Sequence, residues 1–159
     1  MTLYRQLIKQ TSNWIRFELG LVELEGSEYF KEMLYRAKSI FNFLFTEDDS
    51  IWLIASVSNA YKGIDLPNIK RFLRNKKLIY NLNCKTVPYE YDEEDTEMRT
   101  IQYSLKVNKK DLRLDYLIKA LGNQHFARKP MINCNLSFVK KPKVFYFTCM
   151  MTVDVMFLA

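Results

Sequence analysis

Between Ser27 and Phe45 the apolar residues fall at a spacing that a helix can satisfy only by lying against a broad partner surface. Tyr29, Phe30, Met33, Leu34, Ala37, Ile40, Phe41 and Leu44 recur every three or four positions, which lines one side of a helix from Glu28 to Phe45. Ser27 is placed to cap its N-terminus. A stripe of that length needs a sheet to cover it. The continuous apolar run Ile51-Trp52-Leu53-Ile54-Ala55 has strand length, and it predicts a central strand covered on both sides.

The other elements are read around that pair. Tyr4, Leu7 and Ile8 predict a short opening helix, and Trp14 to Leu19 alternates as a half-buried strand ended by Gly20. Asp65 and Pro67 open a second helix bearing Ile69, Phe72 and Leu73. Leu78–Leu82 is a strand candidate, Tyr89 to Glu97 an acidic loop or hairpin tip, and Ile101, Tyr103, Leu105 and Val107 a further strand. Leu112, Tyr116, Leu117 and Ala120 mark a third helix, capped by Asn108 or Asp111 and stopped by Gly122. Ile132–Leu136 and Lys143–Leu158 are closing strands around a turn at Lys140-Lys141-Pro142-Lys143. The expected architecture is a single α+β domain over 1–159: a largely antiparallel mixed sheet with about three helices packed on it.

Composition narrows the class. In 159 residues, 48% hydrophobic, there are only 4 Gly and 4 Pro, so the chain has the apolar mass for one core and little linker. Its longest apolar stretches, Ile51–Val57 and Val144–Met151, fall well short of the roughly 20 residues of a membrane helix. The first ten residues lack the order of a secretory signal. A cytoplasmic protein is expected. Cys84, Cys134 and Cys149 are odd in number and one histidine is present, so buried reduced thiols are expected rather than a disulfide framework or a local zinc site. No cofactor and no metal is implied. The net charge of +6 permits nucleic acid, anionic membrane or acidic protein as partner and selects none.

Several residue groups carry a chemical reading beside a structural one. The usual enzyme motifs are missing: no Gly-rich phosphate loop, no Cys-x-x-Cys, no His-Glu-x-x-His and no nucleophile elbow. His125 has the chemistry of a general acid or base, but the simpler account is a histidine whose charge suits the negative end of the preceding helix. Arg16 and Glu18 alternate on one face of a strand. An arginine fork there suits a ligand carboxylate or phosphate, and a cross-strand ion pair on the exposed face is the favoured reading. The tract Glu90, Asp92, Glu93, Glu94, Asp95 and Glu97 lacks the mid-loop Gly of a calcium loop and reads as solvated. Basic residues cluster at Lys70, Arg71, Arg74, Lys76 and Lys77, and again at Lys106, Lys109, Lys110 and Arg113. Tyr61, Tyr80 and Tyr103 are interleaved, which suits base stacking with phosphate contact. Arg71 and Arg74 flanking Phe72 and Leu73 also fit the wet side of an amphipathic helix.

Two stretches resemble a known family. Ile15-Arg16-Phe17-Glu18-Leu19-Gly20, then Glu28-Tyr29-Phe30, Arg36-Ala37 and Ile40-Phe41, resemble the start of the bacterial domain of unknown function 3885 family. Leu117-Ile118-Lys119-Ala120, Asn123-Gln124 and Val153-Asp154-Val155 resemble its end. The resemblance implies a small cytoplasmic bacterial protein of no established activity. The family's C-terminal signature is a tyrosine, two aspartates, an arginine and a glycine. Thr148, Cys149, Met150, Met151 and Thr152 stand there instead, so every charged member is absent.

Three functional expectations follow. The first is a non-catalytic interaction module with a protein partner, an immunity-type protein that neutralises a toxin being one form. The second is a nucleic-acid-binding protein acting through the basic clusters. The third is a small enzyme with a site at Arg16, Glu18 and His125. No membrane partner is expected. A homodimer through Met150, Met151, Met156 and Phe157 is consistent with an apolar C-terminal segment, provided that segment is exposed.

Overall fold

The structure, a computed structural model, describes residues 13–20, 23–58, 68–88, 99–125, 128–132, 134–140, 143–147 and 152–157. The strands are β1 (Asn13–Glu18), β2 (Ser50–Ser58), β3 (Asn83–Pro88), β4 (Arg99–Asn108), β5 (Asn135–Lys140), β6 (Lys143–Phe147) and β7 (Thr152–Phe157). They form one seven-stranded sheet in the order β1-β7-β6-β5-β2-β4-β3, and every pairing is antiparallel. Two α-helices, α1 (Gly26–Leu44) and α2 (Leu114–His125), and three short 3-10 segments complete the described elements. The α+β class and the antiparallel sheet agree with the sequence pattern.

The helix stripe closes over the sheet as its periodicity requires. Met33, Ala37, Phe41 and Leu44 of α1 are buried. The Phe41 ring meets Phe138 of β5 at 4.9 Å and Phe145 of β6 at 5.2 Å, both edge-on. That arrangement suits aromatic quadrupoles, and truncating so buried a ring costs on the order of 3–5 kcal/mol. Register then fixes which strand residues share this layer. Val107↔Ile51, Leu105↔Leu53 and Leu53↔Phe138, Phe138↔Phe145 and Phe145↔Val155 run as rows across the sheet. All of these belong to the main core. The intervening residues point the other way.

Several expectations change in detail. The helix begins one residue before Ser27: Gly26 turns the chain in with φ +57°, a left-handed conformation that glycine adopts freely. Glu25 is the cap residue, without a side-chain capping bond. The run at Ile51–Ala55 is covered fully on one face only. Ile51, Leu53 and Ala55 are buried, whereas Ile54 is half-buried and Trp52 stays 39% exposed. Leu78–Leu82 is not a strand. Asn75 accepts from the Lys77 backbone N–H at 3.1 Å, and this local bond winds Lys76–Asn81 into a 3-10 segment. The second expected helix is a 3-10 turn over Ile69–Phe72, with Ile69, Phe72 and Leu73 buried as its apolar pattern required; Asp65 and Pro67 lie outside the described residues. Gly122 does not stop the last helix, which continues to His125. A Cβ there would stand 2.6 Å from Met33 Cε, so the glycine lets α2 approach α1 closely. The opening helix, the 89–97 tract and the 141–142 turn lie outside the described residues.

Candidate functional site

The two basic stretches that are far apart in sequence meet in space. Leu73 and Leu112 form an isolated antiparallel bridge. Its bonds run from the Arg74 N–H to the Asp111 carbonyl at 2.7 Å and from the Arg113 N–H to the Phe72 carbonyl at 2.8 Å. Both leucines are buried and both following arginines are exposed. Arg74 Nε donates to the Leu112 carbonyl, and an Arg113 terminal N–H donates to the Arg71 carbonyl. The guanidiniums of Arg71 and Arg113 lie over the Tyr116 ring, at 5.8 and 5.2 Å from its centroid, a cation–π arrangement that holds both charges at the surface. Lys70, Lys76 and Lys77 are exposed beside them. Among the described residues none of these cations has a carboxylate partner.

Lys109 and Lys110 do not join this surface. Lys109 is buried and donates from Nζ to the Phe45 carbonyl at 2.7 Å, with Glu47 at 3.2 Å. Lys143 Nζ donates to the Leu44 carbonyl at 3.2 Å. No basic residue lies in the last turn of α1 itself, so these two lysines supply the positive charge its C-terminus favours. Lys110 pairs with Asp48, and Lys140 with Asp49. The bond from Lys140, with the Thr46 backbone N–H next in weight, holds the Asp49 carboxyl well below its usual range, at about 2.

A cleft of about 400 Å³ adjoins the basic surface, lined among others by Ser50, Trp52, Asn81, Asn83, Lys106 and Asp111. Two register pairs, Trp52↔Lys106 and Ser50↔Asn108, form part of its wall. The 3-10 segment contributes Leu78 and Asn81, and on the same segment Tyr80 is 84% exposed. Tyr103, read alongside it as a stacking residue, is instead buried. Burial, then the neighbouring Cys84, raises its hydroxyl pKa. Tyr61 lies outside the described residues.

Arg16 and Glu18 share one face of β1, as their alternation requires. The Arg16 fork is occupied from within: Nε and one terminal nitrogen donate to the two Asp154 carboxylate oxygens at 2.7 and 2.9 Å. Asp154 is fully buried and is the register partner of Arg16 on β7. Glu18 is exposed opposite Thr152. His125 ends α2, whose Leu117, Ile118, Ala120 and Leu121 enter the main core, whereas the Arg16–Asp154 row continues to Tyr146 of the second cluster; His125 therefore starts from a different layer than Arg16 and Glu18. The Asn123 of the Asn123-Gln124 pair donates to the Pro130 carbonyl at 2.9 Å and accepts from the Arg128 N–H, which ties the end of α2 to the segment leading to β5.

The thiols divide. Cys134 is buried, and burial pushes its pKa up to about 12; Cys84 is exposed, contrary to the expectation of burial, because it lies on the outermost described strand, β3. Cys149 lies outside the described residues. Met156, one of the proposed dimer contacts, is buried with Val144 and Tyr146 in a second apolar cluster, so it offers no surface. Among the described residues no helix is long and apolar enough to cross a membrane, which leaves strand-built membrane proteins unaddressed.

Comparison with known proteins adds lineage rather than activity. The chain is 31% identical over 147 residues to YnaE, an uncharacterised protein of Bacillus subtilis (strain 168), covering 82% of this chain and 67% of the relative. No solved structure matches. The family model described as a domain of unknown function (DUF3885) matches residues 2–148. That span holds β1 through β6 and both basic stretches, and stops before the Asp154 strand. The chain belongs to the DUF3885 family.

Proposed function

We propose that the protein is a non-catalytic binding module whose working face is the joint basic surface, and whose partner is an acidic macromolecule. One observation carries this reading: the Leu73↔Leu112 bridge fuses two basic stretches, while the lysines that do have carboxylate partners, among them Lys109, Lys110 and Lys140, lie elsewhere. Clustering unpaired cations raises their mutual repulsion, a cost that a binding role offsets and a purely structural role does not. An acidic protein, such as an immunity-type module would take, and a nucleic acid share the chemistry required, a run of closely spaced negative charges.

The test is binding of inorganic polyphosphate across a salt series. Affinity is expected to fall steeply as salt rises, since each neutralised charge releases counterions. The double variant Lys76→Glu, Lys77→Glu is expected to weaken binding at low salt by roughly tenfold or more. Equal binding by the variant and the unaltered protein would refute the assignment of this face.

A further inference from the structure

We infer that the partner is a single-stranded nucleic acid, one of whose bases enters the cleft at Trp52. This inference rests on the binding-module reading above and adds to it the class of partner and a second contact of different chemistry.

The cleft presents three kinds of group together. Trp52 offers a partly exposed aromatic face between Ile51 and Leu53, which are both buried. Asn81 and Asn83 bring carboxamides, each with donors and an acceptor. Lys106, the register partner of Trp52, brings an exposed ammonium without an ion pair among the described residues. A flat ring, edge-reading amides and one cation are what a nucleotide needs: stacking for the base, hydrogen bonds for its edge and, at the mouth of the cleft, charge for the phosphate that stays outside. The volume, about 400 Å³, lies at the lower end of small-ligand sites, which begin at about 300 Å³.

Asp111 decides which part of the nucleotide enters. Asp111 is among the residues lining the cleft, and a negative charge at its wall disfavours a phosphate inside and favours a base N–H. The phosphates are left outside, and there the basic surface begins: the Asp111 carbonyl is the acceptor of the Arg74 N–H at 2.7 Å. Lys76 and Lys77 belong to the same 3-10 segment as Asn81. Tyr80 on that segment gives an adjacent base a second ring to stack on. A duplex has its base faces occupied by one another and cannot place one on Trp52 without unstacking. An acidic peptide supplies the charges but no base to fill the cleft.

The experiment uses the full chain and three probes: a deoxythymidine oligomer of about 15 nucleotides, inorganic polyphosphate, and polyglutamate. In the Trp14→Phe chain, Trp52 is the remaining indole of the two in the sequence, and its fluorescence is expected to be quenched by the oligomer and unchanged by polyphosphate. Trp52→Ala is expected to weaken oligomer binding roughly tenfold or more and to leave polyphosphate binding unaltered; Trp52→Phe, which keeps a ring, is expected to recover most of the loss. If oligomer and polyphosphate bind alike, without quenching and without dependence on Trp52, the base subsite is overturned and the polyanion reading stands. Binding of polyglutamate without binding of the oligomer overturns the nucleic-acid partner in favour of an acidic protein. If no probe binds at low salt, both readings fall.

Discussion

Removing the guanidinium of Arg16 takes away two hydrogen bonds from a carboxylate that no solvent reaches. Arg16→Ala is therefore expected to lower unfolding free energy by about 1–3 kcal/mol, since Asp154 is fully buried while the Arg16 side chain is 43% exposed and partly screened. Arg16→Lys is expected to recover only part, because an ammonium cannot make the two-pronged contact; urea unfolding of both variants checks this. Alternation along β1 made the ion-pair reading available from the sequence. Its partner was not legible, since Asp154 lies 138 positions away and the sequence pattern gives no register. Asp49 supplies a pH dependence. Its carboxyl is lowered from 3.8 to about 2 in the folded chain, so its contribution is complete above about pH 4 and is lost as pH falls towards 2. The Lys140 side chain is 42% exposed, and solvent screening keeps the effect near 1 kcal/mol. Asp49→Asn is expected to flatten this part of the acid limb, which thermal unfolding at pH 2, 3 and 5 measures.

The elements are held at their ends by groups from elsewhere in the chain. The C-terminus of α1 takes its cations from Lys109 and Lys143, which follow other elements. Lys109→Met keeps most of the apolar stem and removes the bond to the Phe45 carbonyl. It is expected to cost about 1–2 kcal/mol. Lys110→Met, whose partner Asp48 is exposed, is expected to change stability by less than about 0.5 kcal/mol. Melting curves of the two variants give the comparison. At this scale the sequence was most informative where periodicity is long. The α1 stripe and the alternation of Ile101, Tyr103, Leu105 and Val107 were read directly. It misled where a local side chain overrides a short apolar run, as Asn75 does before Leu78, and where a glycine serves a contact rather than a stop, as Gly122 does against Met33. Neither effect has a period.

At the scale of the whole molecule, the sheet buries one face under α1 and α2 and carries the cleft beside its β2–β4 pair, next to the basic surface. The positive charge was visible in the composition, and both clusters were visible as runs. Their union was not, because a single-residue bridge between Leu73 and Leu112 leaves no trace in sequence spacing. Lys109 and Lys110 are drawn instead to Glu47 and Asp48, while the bridge brings Arg74 and Arg113, both exposed, onto one surface. Amide chemical-shift mapping during a polyphosphate titration tests that placement most directly. The expected result is a contiguous set of shifted amides within 70–77 and 106–113, with β1 and β7 unmoved. Shifts centred on β1 and β7 instead, or saturable binding that leaves both basic segments undisturbed, would contradict the assignment of this surface as the working face.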